Sequence, residues 1–216
     1  MYKISLWSIV LKKLLFLLIV VVLNGYSAPI HDAVNAEDIK AVEALLDAGA
    51  DVNALNKHDQ TPIFLAVYNE DNPIVRLLID RGANVNLGGK RGCTGLFWAV
   101  KYGDMEMVLL LLRHKADIEH QNSNGNRVIH IAAEEGYDDV VFFLYEKGAD
   151  INSVNKNGDT PLHIAALYGK QPVATLLINL DAKNDILNND DMTAAEVADD
   201  EGHGRMMLII EKKIQN

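Results

Sequence analysis

The chain has 216 residues, of which 49% are hydrophobic and 23% are charged, with a formal net charge of −10. This acidic balance disfavours nucleic acid and anionic membrane surfaces as partners, because both carry dense negative charge. The single cysteine, Cys93, excludes an internal disulfide, so the fold must be stabilised by packing.

The first 27 residues differ in composition from the rest of the chain. They contain three lysines, no acidic residue and an uninterrupted apolar run over residues 14–23. Gly25 and Ser27 are the small residues expected before a cut at Ala28. The pattern predicts a cleaved signal peptide over 1–27, and hence a secreted or periplasmic protein. The alternative is an uncleaved membrane anchor, but a spanning helix needs about 20 apolar residues.

From residue 28 onward, a short motif recurs every 33 residues. The successive copies start at Ala28, Thr61, Thr94, Arg127, Thr160 and Thr193. A second marker, Gly-Ala-Asp or a close variant, keeps the same step from Gly49 onward. Because the two markers stay in phase, we predict six repeats, at 28–60, 61–93, 94–126, 127–159, 160–192 and a truncated 193–216.

Each repeat is predicted to contain two antiparallel helices and a hairpin finger. Thr160 followed by proline is a typical helix start, and Pro172 marks the start of a second helix. Gly169 lies between them, where a left-handed residue ends the first helix. The second helix carries its apolar residues at helical spacing, so it must bury them against a neighbouring repeat. The first and last repeats are expected to act as polar caps.

These repeats resemble ankyrin repeats, whose pattern begins Thr-Pro-Leu-His-x-Ala-Ala and ends Gly-Ala-Asp-Val-Asn. Residues 160–166 match the first motif, whereas Phe64 and Phe97 replace its histidine, and Lys115 and Asp181 replace a helix-ending glycine. The resemblance implies an all-α solenoid of about six repeats that binds other proteins. Together with the predicted signal peptide, it indicates an exported ankyrin-repeat protein of bacterial type. The resemblance also implies local structural hydrogen bonds for the motif histidines His31, His130 and His163.

The resemblance further implies that a partner binds a concave face formed by hairpin tips and first helices. Tip positions lie one, three and four residues before each motif start, and helix positions lie seven and eight residues after it. The same offsets give Lys156, Asn157 and Leu167. The candidate partner-binding residues are Lys57, His58, Gln60, Tyr68, Lys90, Arg91, Lys101, Tyr102, Asn124, Asn126, Glu134, Asp159 and Tyr168.

The strongest candidate anchor is a middle patch formed by Lys90, Arg91, Lys101 and Tyr102. It combines positive charge with an aromatic ring, and interface cores are enriched in tyrosine and arginine. The patch therefore predicts contact with an acidic protein partner.

No residue pattern indicates catalysis. His58, His114, His120 and His203 lack metal-ligand spacing, and the pair at residues 88–89 lacks the Lys-Ser/Thr ending of a phosphate-binding loop. We therefore expect a monomeric, non-catalytic binding module without cofactor or metal. The alternatives are a membrane-tethered scaffold and a bacterial factor delivered to a host cell.

Overall fold

The computed structural model describes residues 29–211, except for the side chain of Lys90. The predicted signal peptide and the last residues of the sixth repeat lie outside this range. Twelve α-helices and no β-strand are found within it. The chain divides into two compact units, an N-terminal unit over Met1–Lys90 and a C-terminal unit over Arg91–Asn216.

The described part of the N-terminal unit consists of two helix pairs. Its helices are α1 (Pro29–Asn35), α2 (Ile39–Asp47), α3 (Pro62–Tyr68) and α4 (Asn72–Asp80). The two helices of each pair contact each other. In addition, α1 packs against α3 and α2 packs against α4, so equivalent helices of neighbouring repeats lie side by side.

The C-terminal unit contains four helix pairs, which are packed on one another in the same way. A single 3₁₀ turn, Lys90–Gly92, lies at the boundary between the units. The pairs are α5 (Gly95–Lys101) with α6 (Met105–Arg113), α7 (Val128–Glu135) with α8 (Asp138–Glu146), α9 (Pro161–Leu167) with α10 (Gln171–Asn179), and α11 (Ala194–Asp200) with α12 (Gly204–Glu211). The first helices pack in the order α5, α7, α9, α11.

Helix starts follow the sequence expectation. The hydroxyls of Thr61, Thr160 and Thr193 accept hydrogen bonds from backbone amides in the first turns of α3, α9 and α11. Every proline lies at the first or second position of a helix, as predicted. The aspartates that cap three of the second helices were not anticipated; they are Asp38, Asp71 and Asp104.

The departures at Lys115 and Asp181 do not interrupt the fold. Both residues take the left-handed conformation with φ of 64°, the region that Gly148 occupies at the equivalent position with φ of 92°. A non-glycine residue in this region costs about 1 kcal/mol or more. The packing of the adjacent helices outweighs this local backbone cost, so the fold of these repeats is retained.

Both helices of a repeat contribute to the core: first helices such as α3 and α9 are buried over almost their whole length, and second helices are buried on their inner face. In α10, Val173, Ala174 and Leu177 are fully buried, whereas Leu176 is only half-buried. Each second helix thus presents one fully buried stripe to the neighbouring repeats and a less buried stripe beside it. Stacking of these stripes and of the buried first helices supplies the hydrophobic stabilisation.

We expect Leu177→Ala to lower the free energy of unfolding by about 2–5 kcal/mol, because it leaves a cavity among buried side chains. Leu208→Ala, which truncates a leucine that is 51% exposed on α12, is the matched control and should cost well under half as much. Urea denaturation of both variants measures the difference. Equal losses would show that the buried face has been assigned incorrectly.

Candidate functional site

The connections between repeats, here called fingers, are shaped by an asparagine at a fixed position. In the C-terminal unit the fingers comprise residues 116–126, 149–159 and 182–192. The side-chain oxygens of Asn122, Asn155 and Asn188 each accept hydrogen bonds from the backbone amides two and four residues later. These bonds fold each tip into the same tight turn.

Side-chain amides join one finger to the next. Asn155 Nδ2 donates to Asn126 Oδ1 at 2.9 Å, and Asn188 Nδ2 donates to Asp159 Oδ1 at 3.0 Å. Asn126 and Asp159 were both predicted as partner-binding residues, and both are half-buried. One side-chain oxygen of each accepts a hydrogen bond from the next finger. Their structural role is therefore visible in the geometry, while their role in partner binding stays a prediction.

Backbone hydrogen bonds also connect neighbouring finger tips. They are 2.8–3.0 Å long and join Ser123 to Arg91, Lys156 to Asn124 and Asn189 to Asn157, with the first residue of each pair as the donor. A row of fingers bonded in this way has a fixed register from repeat to repeat. The surface that the tips present is consequently formed before any partner arrives.

The motif histidines anchor the fingers to the first helices. His130 Nδ1 accepts a hydrogen bond from Arg127 N at 3.2 Å, so the proton is on Nε2, which donates to the carbonyls of Ser153 and Asp159. His163 makes the same type of bond to the Met192 carbonyl at 3.1 Å. The predicted local bonds are present at His130 and His163, whereas Nδ1 of His31 has no hydrogen-bond partner among the described residues. The structure adds a bond that reaches the end of the finger.

Phenylalanine replaces the motif histidine in two repeats, where ring packing supports the fingers instead. A Cβ atom added at Gly89 would lie 2.9 Å from Cζ of Phe64, so only glycine leaves room for that ring. Phe97 meets the ring of His120 edge-on with 6.2 Å between centroids, and His120 Nε2 donates to the Gly92 carbonyl. The fingers are thus held in position by two different kinds of contact.

A groove of about 510 Å³ opens between two fingers and two first helices of the C-terminal unit. The helices contribute Glu134, Ile164 and Leu167, with Tyr168 just beyond the end of α9. The other lining residues come from the fingers and are Asn124, Asn126, Asn155, Lys156, Asn157 and Asp159. The structure therefore brings together five of the sequence-predicted site residues, Asn124, Asn126, Glu134, Asp159 and Tyr168.

Two lining residues were not among the positions derived from the sequence, Asn155 and Ile164. Asn155 recurs with the 33-residue step as Asn122 and Asn188, and that recurrence would have identified it. Ile164 is buried beneath the groove, so its position on the groove floor depends on packing and not on a local motif.

The aromatic and acidic side chains of this region influence one another. Tyr168 is 50% exposed, and partial burial together with the charges of Glu134 and Glu135 raises the pKa of its hydroxyl. The tyrosine therefore stays neutral at physiological pH and offers a hydroxyl donor beside a carboxylate. Burial likewise raises the pKa of the Cys93 thiol, which disfavours the reactive thiolate.

The middle patch is only partly available. The side chain of Lys90 lies outside the described residues, Arg91 is exposed and has φ of 73°, and Tyr102 is 38% exposed with its ring against Trp98. Lys101 Nζ lies 3.5 Å from Glu135 Oε1. The positive charge of Lys101 is therefore paired with a carboxylate of the neighbouring repeat, which weakens the attraction of the middle patch for an acidic partner.

The remaining predicted residues belong to the N-terminal unit. Lys57 and His58 are exposed at a finger tip, and Tyr68 is 46% exposed at the end of α3. Gln60 is half-buried, because its carbonyl accepts from His31 and its side-chain oxygen accepts from Asn56. These residues are placed as the sequence predicted, and their role in binding stays a prediction.

Metal-binding and membrane-spanning features were examined over residues 29–211. No group of three or more His, Cys, Asp or Glu side chains there is arranged to hold a metal ion. Every helix in that range is too short or too polar to cross a membrane.

These features identify a class of protein: an all-helical repeat protein in which fixed fingers border grooves beside the first helices. The family model described as "Ankyrin repeats (3 copies)" matches residues 30–122, 63–155 and 129–215. The chain therefore belongs to the ankyrin repeat family, as its motifs suggested. Proteins of this family generally mediate protein–protein interactions and are typically not catalytic.

A comparison with solved structures gives the same fold. The chain is similar to the crystal structure, at 1.00 Å resolution, of an ankyrin repeat domain from Acinetobacter baumannii AYE. The two are 24% identical, with a TM-score of 0.77 over 86% of this chain and 97% of the other. At this identity the likeness shows the fold alone. No curated protein matches the chain.

The buried histidines predict a pH-dependent stability. Burial lowers the pKa of His130 from 6.5 to about 4 and also lowers that of His163. Between these pH values the unfolded chain binds more protons than the native one, so stability falls as pH drops from 6.5 to 4. We expect His130 alone to account for a loss of about 3 kcal/mol.

Urea denaturation at pH 7, 5.5 and 4 measures this loss, and His130→Gln is the matched variant because its side chain does not titrate. The variant should lose less stability on acidification than the parent chain, even if it is less stable at pH 7. Identical pH profiles for the two proteins would contradict the assignment.

Proposed function

We propose that this chain is a non-catalytic module that binds a protein partner on the finger and first-helix side of its C-terminal unit. The observation that carries the proposal is the groove, because it gathers five predicted residues from separate repeats into one lined surface. We further propose that the protein works in the periplasm or outside the cell, after removal of residues 1–27.

The groove has the physical properties of a binding surface. Its walls are joined by hydrogen bonds between fingers. The fingers therefore lose little conformational entropy when a partner binds to them. Leu167 and Tyr168 are 37% and 50% exposed at its edge. An exposed leucine and tyrosine beside amide groups provide an apolar contact area with polar groups around it, as protein interfaces require.

The groove is a better candidate for the main contact than the middle patch. Lys101 already pairs with Glu135, whereas Glu134, Leu167 and Tyr168 lie on the open groove. The acidic partner predicted at the middle patch stays a separate prediction. The membrane-tethered scaffold and the factor delivered to a host cell differ from our proposal in the fate of residues 1–27 and in the final compartment.

We expect the double variant Leu167→Ala/Tyr168→Ala to weaken partner binding by about tenfold or more, because exposed aromatic and apolar anchors dominate interface energies. The matched control is Phe142→Ala/Tyr145→Ala, which removes side chains that are 43% and 39% exposed on the second helix α8. Partners captured by the purified chain from its native compartment are identified, and their affinities for the three proteins are compared by calorimetry. If only the α8 variant loses binding, the partner uses the opposite face and the proposal is wrong.

Sequencing the N-terminus of the native protein tests the proposed export. We expect the mature chain to begin at or near Ala28, since Gly25 and Ser27 satisfy the small-residue requirement of a signal-peptide cut. A chain that keeps Met1 and fractionates with membranes would support the tethered scaffold instead.

A further inference from the structure

Three neighbouring first helices of the C-terminal unit end in chemically different residue pairs. α9 lies between α7 and α11 and packs against both. The positions seven and eight residues after the motif starts of these three repeats hold Glu134-Glu135, Leu167-Tyr168 and Asp200-Glu201. An apolar pair is therefore flanked on each side by an acidic pair.

The surface on both sides of α9 is concave. The groove of about 510 Å³ lies toward α7, and a second groove of about 220 Å³ lies toward α11. The two share Asn157, Asp159 and Leu167 in their linings. They are therefore neighbouring parts of one surface that crosses three repeats, with Leu167 at its centre.

The charge of this surface is strongly negative. Its lining contains a single basic side chain of lysine or arginine, Lys156, and five carboxylates, Glu134, Asp159, Asp190, Asp200 and Glu201. Within residues 29–211 none of these five forms an ion pair, although Glu119 and Glu135 nearby pair with Arg127 and Lys101. Asp190, Asp200 and Glu201 are exposed, and Glu134 and Asp159 are half-buried. A concave surface lined by charges of one sign attracts ligands of the opposite sign.

The spacing of the acidic pairs sets the spacing of the cations that would meet them. Packed helices lie about 8–10 Å apart, so the ends of α7 and α11 are separated by roughly 16–20 Å. An extended peptide advances about 3.3 Å per residue, and its side chains alternate between faces. Two cationic side chains on one face, six residues apart, match this separation, with apolar side chains between them above α9.

We propose that the partner inserts an extended basic segment into this surface, with two lysine or arginine residues six positions apart and apolar side chains between them. One cation is held by Glu134 against the ring of Tyr168, and the other by Asp200 and Glu201. Arginine suits both ends, because it binds carboxylates in a bidentate manner and stacks on aromatic rings. The inference rests on the proposed function and specifies its ligand.

The test uses fluorescence polarisation with the full mature chain and a blocked, labelled peptide, Arg-Ser-Leu-Ser-Leu-Ser-Arg. We expect it to bind at least about fivefold more tightly than Arg-Ser-Leu-Arg-Ser-Leu-Ser, which has the same composition but a spacing of three. A peptide with glutamate in place of both arginines should bind at least about tenfold more weakly. Binding of the first peptide should also weaken as salt is raised, because its contacts are charged.

Glu134→Gln/Glu201→Gln removes one charge from each acidic pair, and we expect it to weaken binding of the first peptide by about tenfold. The matched control is Glu146→Gln/Glu211→Gln, which makes the same change in net charge at exposed residues outside both grooves. The control should change the affinity by less than about twofold. Circular dichroism melting shows that each variant is folded.

The inference is overturned if the acidic peptide binds as well as the basic one, if the two arginine spacings bind equally, or if the two glutamine variants behave alike. Its failure can be separated from failure of the proposed function by using the captured protein partner. A partner lost by Leu167→Ala/Tyr168→Ala but kept by Glu134→Gln/Glu201→Gln would leave the groove as the binding site and exclude a basic segment. A partner kept by both variants would exclude the groove itself.

Discussion

In three repeats the position of the finger depends on one hydrogen bond, from the motif imidazole to the carbonyl that closes the finger 29 residues later. His31, His130 and His163 make this bond to Gln60, Asp159 and Met192. The bond needs a proton on Nε2. Nδ1 of His130 and His163 accepts a backbone N–H at the start of the first helix, which requires a neutral ring, and burial keeps both rings neutral. Of the two fingers that line the groove, 149–159 is held by the bond from His130 and 116–126 by the packing of Phe97 against His120, so contacts with the first helices position both walls.

Much of the fold could be predicted from the sequence, because the same residue types recur at equivalent positions and form the same local structure in each repeat. The 33-residue step, the Thr-Pro helix starts and the apolar pairs of the second helices each result from local geometry, and all of them are found in the structure. The division into two compact units was not predicted. The motif step continues without interruption through residues 80–95, although that segment is rich in glycine.

The candidate site was predicted in part. Offsets from the motif correctly brought Glu134, Asp159 and Tyr168 to one surface, because equivalent positions of stacked repeats lie side by side. The ion pair between Lys101 and Glu135 was missed, since the two residues belong to different repeats and no local pattern connects them. That contact partly neutralises the middle patch, whereas the groove keeps its carboxylates free of ion pairs within residues 29–211.

The bonds between finger tips have a consequence for how such a chain can change in length. Each bond joins residues 32 positions apart, as at Lys156 and Asn124, and Asn155 and Asn188 donate equivalently to Asn126 and Asp159. Loss of residues 127–159 would leave Asn188 facing Asn126 Oδ1, the acceptor that Asn155 uses in the present chain. Loss of one finger residue would instead leave donors opposite the wrong acceptors. Whole repeats are thus the natural unit by which this architecture lengthens or shortens.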